Sequence, residues 1–312
     1  MLGRRILRVK AFKVIYSYAV AGNMSLEEAL KQFDASLEAT RDLYLFLLAS
    51  VPSLTRIARE RLEAPKQKLH PTQEELNPND KFVSNALSPL LDEDPDLQKI
   101  LERKKFSWDQ YDIVLKSILD SVGEQPYFKK YMDREERSLR DDCRLFGKIF
   151  EKDYSDSDAL RELLEDKSIY WYDDLEYALI CCINTFRDLA AGKRWRLPEL
   201  YRSEEIKKTR PSAPLSSDRD FARKLVTTAF TSYEDTFRRV REAVPDWDSD
   251  RLFCTDLAII ALGVAEQKAF PDMPLDITMN EYLEIAKDFC TPKSRQFVNG
   301  LMDKLIKENL NK

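Results

Sequence analysis

Only 7 of the 312 residues are glycine, while 34% are charged. Glycine supplies the positive-φ positions that tight hairpins and phosphate-cradling loops require. A chain this poor in it argues against a turn-rich β-sandwich or a doubly wound α/β enzyme. The charged fraction stands above the usual quarter, and long helices with one apolar and one solvated face accommodate it. Hydrophobic residues at 43% and aromatics at 11% suffice for a packed core and exclude a disordered chain. Apolar residues recur at helical spacing, and no alternating stretch with hairpin turns appears. The predicted fold is all-α, built from helical bundles.

Several chemistries are excluded by residue supply. His70 is the single histidine, so metal sites built from two or three imidazoles are ruled out, and a Ser–His–Asp or Cys–His mechanism would have to run through it. The five cysteines are Cys143, Cys181, Cys182, Cys254 and Cys290. Their number is odd, none are spaced as CxxC, and most lie in apolar runs. They read as buried thiols in a reducing compartment, not as a disulfide framework or zinc knuckle. Neither glycine-rich nucleotide motif is present. Tyr172-Asp173-Asp174 resembles a two-metal polymerase tripeptide, but it stands at a helix start, where aspartate is a good cap. No catalytic residue, metal ligand or cofactor is expected.

Residues 4–21 form the strongest helical pattern, with Leu7, Ala11, Val14, Ile15 and Tyr18 on one face and Lys10 and Lys13 off it. Gly22-Asn23 ends it, and Ser25 with Glu28 predicts a capping box for a helix over 26–39. A third segment over 43–62 carries Leu43, Phe46, Leu47, Leu54, Ile57 and Ala58, with a kink expected at Pro52. The basic start superficially mimics a signal peptide, but its apolar part is short and interrupted by Tyr16, Ser17 and Tyr18. No apolar run is long enough to span a membrane. A cytoplasmic protein is expected.

Residues 64–95 lose periodicity and hold five prolines, which reads as a linker or an extended wrap. Helical patterns resume over 95–105, 108–122, 133–150, 157–165 and 173–191. A second break over 203–218 holds Pro211, Pro214, Ser216 and Ser217. Four helical segments follow, over 220–243, 248–270, 278–289 and 291–309. The expected organisation is N-terminal helices over 1–63, a helical insertion with flexible flanks over 64–217, and a C-terminal helical region over 218–312. In that region Thr278 with Glu281 suggests another capping box, and Thr291-Pro292 a cap followed by proline where no N–H is needed. Phe297, Leu301 and Leu305 repeat at four-residue intervals. Gly300 sits mid-helix at a cost of about 1 kcal/mol, which suggests close helix–helix approach.

Charge is distributed unevenly. Fifty basic against 55 acidic residues give −5, which excludes a globally basic nucleic-acid binder. Residues 1–26, however, hold Arg4, Arg5, Arg8, Lys10 and Lys13 and no acid, so they carry +5 while the remainder carries −10. Such an asymmetry is what a phosphate-binding footprint on an acidic protein looks like. Its bland counterpart is an ordinary solvated helix face. A second patch, Lys193, Arg194, Trp195 and Arg196, continues to Arg202, Lys207, Lys208 and Arg210. Cations around a tryptophan can neutralise and stack a strand, although such runs more often decorate a helix end.

Taken together, the two ends resemble the NusB family of bacterial transcription antitermination factors. The run Arg4-Arg5-Ile6-Leu7-Arg8 through Ile15-Tyr16 is similar to the family's arginine-rich first helix, which ends in Leu-Tyr. The stretch from Ile277-Thr278-Met279-Asn280-Glu281 to Glu284-Ile285-Ala286-Lys287 is similar to its Ile-Asn-Glu…Glu-Leu-Ala-Lys segment. Phe297-Val298-Asn299-Gly300 with Asp303-Lys304 is similar to its Phe-Val-Asn-Gly…Asp-Lys signature. The resemblance covers about 4–22 and 218–312, with most of the chain between them an expansion. It implies a NusB-like all-helical fold carrying an additional helical insertion. It also implies binding of boxA-like single-stranded RNA together with the ribosomal protein NusE in the transcription elongation complex. Carried over by motif, the RNA-facing candidates are Arg4, Arg5, Arg8 and Lys10, with Lys293, Ser294 and Phe297 near the start of the last helix. Lys193, Arg194, Trp195 and Arg196 are the possible second patch. Lys293 replaces an acid that many members have before the serine, and Leu262-Gly263-Val264-Ala265 replaces Leu-Tyr-Glu-Leu, so the NusE contact is not carried over there. The competing reading is a helical interaction scaffold without RNA affinity.

Overall fold

The computed structural model describes residues 2–201, 218–245 and 253–310. The expected break over 203–218 and the basic residues Arg202 to Arg210 lie outside the described residues, apart from Asp218. Fifteen α-helices occur among the described residues. They run α1 Arg4–Ala21, α2 Leu26–Glu63, α3 Gln73–Leu76, α4 Leu87–Asp92 and α5 Pro95–Lys104. Then come α6 Asp112–Glu124, α7 Pro126–Met132, α8 Leu139–Ile149, α9 Asp158–Lys167 and α10 Leu175–Ala190. The last five are α11 Asp218–Thr231, α12 Tyr233–Ala243, α13 Cys254–Ala269, α14 Leu275–Phe289 and α15 Pro292–Leu310. Short 3₁₀ turns at Ala64–Gln67 and Tyr172–Asp174 and a π turn at Phe150–Tyr154 complete the set. No β-strand occurs among the described residues, only a lone parallel bridge between Leu2 and Tyr201. The all-α expectation holds.

Two compact units emerge, Met1–Glu38 with Glu199–Lys312, and Ala39–Pro198. The first is organised around α13, which packs against α1, α11, α12, α14 and α15. Ala258 to Leu262, Val264 and Ala265 are all buried, as a helix that is apolar all round must be. α1 contributes Leu7, Ala11, Val14 and Ile15 to this core. Ser25 and Glu28 form the expected reciprocal cap. Gly22 ends α1 at φ 69°, a left-handed position that glycine adopts without cost.

The second unit packs α8 against α10, with Phe146, Phe150 and Phe186 between them. Trp108 lies 4.5 Å from Phe46, ring on ring, and donates its indole N–H to the Phe46 carbonyl at 2.7 Å. Asp174 accepts from the Thr40 hydroxyl at 2.7 Å and does not cap α10 through its side chain. The carboxylate of the polymerase-like tripeptide is thus a buried structural acceptor.

The structure corrects several local readings. The segments 26–39 and 43–62 are one helix, α2, because the polar residues between them include neither glycine nor proline. Pro52 lies inside that helix without ending it. Hydroxyls of Ser50, Ser53 and Thr55 donate to the carbonyls of Leu47, Ala49 and Val51 around it, while the ladder bond that Pro52 removes is the one to the Leu48 carbonyl. The proline-rich stretch is packed in its second half, where Phe82, Leu87 and Leu91 are buried. Thr278 is interior to α14, so no cap forms there. Gly300 is not the close-approach glycine, since a Cβ built on it meets nothing within 4 Å. Gly263 is, because a Cβ there would come 2.1 Å from Met302 Sδ. The buried stripe of α15 runs through Val298, Leu301, Met302, Leu305 and Ile306; it includes the expected Leu301 and Leu305, while Phe297 is only half-buried.

Candidate nucleic-acid interface

Arg4 and Arg5 occupy the first turn of α1, which holds no acid. Cations there oppose the helix dipole, typically by 0.3–1 kcal/mol in exposed settings. The tertiary structure answers with carboxylates from other helices. Arg4 Nε meets Asp218 at 3.1 Å, and Arg5 Nε meets Glu281 at 3.2 Å. Arg8 makes a bidentate pair with Glu266, at 2.8 Å through Nε and 2.6 Å through Nη2. A further 3.6 Å ion pair links it to Glu281. The guanidinium groups of Arg4 and Arg8 lie over the Phe221 ring at 4.8 and 5.2 Å, a geometry that attracts cations.

These three arginines are brought together but are not equivalent. The Arg8 side chain is 4% exposed, that of Arg4 37% and that of Arg5 59%. Glu266 is fully buried and also accepts from Tyr282 Oη at 2.8 Å and Thr278 Oγ1 at 3.3 Å. Burial alone would lower the Arg8 pKa, but the hydrogen bonds and charge of Glu266 outweigh it and hold the group above its ordinary value. Burial, then the Glu266 charge, pushes Tyr282 well up. The network is therefore a fixed ion pair with neutral donors. Lys10, expected off the apolar face, is fully buried, because α11 and α13 both cover α1.

The C-terminal candidates follow closely in space. Phe12 of α1 and Phe289 at the end of α14 lie 4.7 Å apart, ring centre to ring centre. From Phe289 the chain reaches Lys293 within four residues, no more than about 14 Å even if fully extended. The Thr291 hydroxyl accepts from the Ser294 N–H at 3.2 Å and bonds its hydroxyl at 3.0 Å, which establishes the expected cap. Lys293 is exposed, Ser294 buried and Phe297 half-buried. Tyr16, 39% exposed, stacks on Phe12 at 6.1 Å. Arg5, Tyr16 and Lys293 are thus the solvent-facing members of this neighbourhood.

The second patch lies in the other unit. Lys193 pairs with Asp188 at 2.7 Å, and Arg194 approaches Asp96 at 3.3 Å and Asp94 at 3.8 Å. Trp195 is 3% exposed and donates to Tyr44 Oη at 3.1 Å, so its ring faces protein. Arg196 is exposed. These residues, with Thr185 and Leu189, line an open cleft of about 430 Å³.

Sequence reasoning missed Asp218 and Glu266, and it read Glu281 as part of a cap and a family motif, not as an arginine partner. The three acids lie up to 276 residues from their partners, and nothing local marks the pairing.

Comparison with known proteins identifies the family. The model of the NusB family matches residues 189–307. The transcription antitermination protein NusB of Geobacter sulfurreducens is 32% identical over 119 residues, 38% of this chain and 82% of the relative. The chain belongs to the NusB family. The NusB of Geobacter sp. strain M21 is 36% identical over 85 residues, 27% of this chain, and that of Acetivibrio thermocellus is 29% identical over 110 residues, 35% of this chain and 76% of the relative. The chain spans 59% of the length of the Geobacter sp. strain M21 relative. No solved structure matches. The NusB family match begins after α1, yet α1 packs on α11 and α13 in the same compact unit as most of the matched region. No helix among the described residues is long and apolar enough to cross a membrane.

Proposed function

We propose that the protein is a non-enzymatic, cytoplasmic transcription antitermination factor that binds boxA-like single-stranded RNA together with NusE. On this reading the RNA runs across the exposed side of α1 and the start of α15. Arg5 and Lys293 neutralise phosphates and Tyr16 offers a ring, while Arg4 contributes in part. Residues 39–188, ahead of the family-matched region, are a helical insertion into the family frame. The observation that carries the reading is the union of an acid-free basic helix with most of the family-matched region in one unit. Arg8 holds α1 in place, and Lys10 supports the core, so neither needs to touch RNA.

The test is fluorescence anisotropy with a labelled boxA-type RNA, with and without NusE, across a salt series. Arg5→Gln combined with Lys293→Gln should weaken binding and flatten the salt slope by about 0.7 for each phosphate that is no longer neutralised. Unchanged affinity and slope would sink the reading. One observation favours the scaffold instead: each of Arg4, Arg5 and Arg8 already faces a carboxylate. NusE binding with no RNA dependence would decide for it.

A further inference from the structure

A pocket of about 260 Å³ in the unit Ala39–Pro198 is lined by Tyr127, Lys130, Tyr131, Arg134, Arg144 and Lys148, with Asp141 and Leu145 beside them. Its charge balance is unlike that of the other basic clusters. Lys130, Arg134 and Lys148 are exposed and make no ion pair among the described residues. Arg144 reaches Asp141 only at 3.5 Å. Beneath the rim, Lys81 is buried and donates to the carbonyls of Tyr131 and Arg134, 4.5 Å from the Tyr131 ring centre. A buried ammonium held by carbonyls alone adds positive potential that no carboxylate cancels at contact.

The floor is preorganised. Tyr131 Oη donates to Asp142 at 2.6 Å, and Asp142 also accepts from the Ala86 N–H at 2.8 Å. Tyr127 Oη donates to Asp153, which accepts from Ser121 as well. Asp153 belongs to the π turn Phe150–Tyr154, a departure from regular helix that often marks functional positions. Both tyrosine rings are thereby fixed, and Tyr127 is half-buried, with one part open to the pocket. Lys152 of the same turn lies 5.9 Å from the Tyr127 ring centre. Arg144 and Lys148, four apart on α8, stand about 6 Å from each other along one helix face.

Cations that track a backbone, set beside a fixed aromatic ring, are what a single strand of nucleic acid requires. We propose that this pocket is a second, sequence-independent RNA site, in which Arg134, Arg144 and Lys148 bind phosphodiesters and Tyr127 carries a stacked base. The site lies within the unit Ala39–Pro198 and does not depend on α1; that its ligand is RNA rests on the antitermination reading proposed above.

The probe is a fluorescein-labelled 12-nucleotide oligouridylate bound to the full chain. The triple variant Arg134→Gln, Arg144→Gln, Lys148→Gln should bind it at least tenfold more weakly. With three phosphates no longer neutralised, the salt slope should be shallower by about 2, with an unchanged thermal melt. Arg5→Gln with Lys293→Gln should weaken boxA-type RNA by a larger factor than oligouridylate, and the triple variant should do the reverse, so failure here and failure of the α1 reading are distinguishable. Photo-crosslinking of 4-thiouridine RNA to the unsubstituted chain gives a readout that needs no variant, and crosslinks should map to residues 126–148. The proposal is overturned if the triple variant keeps affinity and slope, if crosslinks avoid 126–148, or if the unsubstituted chain ignores oligouridylate at low salt. Displacement by inorganic phosphate at constant ionic strength, or by poly-glutamate as readily as by RNA, would assign the pocket to small anions or acidic chains and overturn it equally.

Discussion

The two mid-helix glycines of the first unit carry opposite burdens. At Gly263 the close packing of α13 on α15 leaves no room, and Gly263→Ala should destabilise by ~1–3 kcal/mol through overpacking against Met302. At Gly300 nothing stands nearby, so Gly300→Ala should stabilise by ~0.5–1 kcal/mol through helix propensity alone. Urea melts on both variants check the pair, and equal shifts would refute it. The arginines separate in the same way. Arg8→Met strands the buried Glu266 carboxylate and should cost ~3–5 kcal/mol. Arg5→Gln removes a half-exposed, screened pair and should stay within ~0.5 kcal/mol.

Among the elements, α1 and α15 carry the proposed interface, and their ends are set by different means. α1 begins at Gly3 with no side-chain cap and no acid in its first turn, so its start depends on docking to Asp218 and Glu281. α15 begins on a local device, the Thr291 cap. Thr291→Ala should therefore cost about 1 kcal/mol, visible as a lower denaturant midpoint with unchanged slope. The pairings along α1 and α14 come in the same order, Arg5 to Glu281 and then Phe12 to Phe289. The two helices run in parallel past each other there, which brings the loop into α15 toward the middle of α1.

For the whole molecule, thiol environment gives a pH prediction. Burial raises Cys181 to about 11 and, with the Asp142 charge, Cys143 to about 12; burial followed by Asp256 raises Cys290 to about 12, and burial pushes Cys182 well above its ordinary value. Each native thiol holds its proton where the unfolded chain, near 9, releases it. The native state then binds more protons, so stability is full below pH 9 and falls as pH rises toward 11–12. Denaturant midpoints measured from pH 7 to 11 should decline only above 9. Ellman's reagent at pH 8 should label the buried Cys143 and Cys182 slowly in the folded protein and fully in guanidinium, and fast native labelling of either would contradict the burial argument.

Helix content, the capping signals at Ser25 and Thr291 and the apolar face of α1 were legible because they depend on residues within one or two turns. The family signature over 277–304 was legible for the same reason, being a contiguous string. Summed charge was read correctly but misled about place: +5 over residues 1–26 suggested a free basic face, while the fold set Asp218, Glu266 and Glu281 against it. Arg8 and Lys10 looked like surface groups because periodicity records one buried face, and a helix covered on two sides buries more than its apolar stripe. The continuity of α2 through Pro52, the half-burial of Phe297 and the choice of Gly263 over Gly300 were likewise decided by packing. Local propensity is written along the chain, but desolvation and charge pairing are properties of neighbours hundreds of residues apart, and only tertiary structure brings those together.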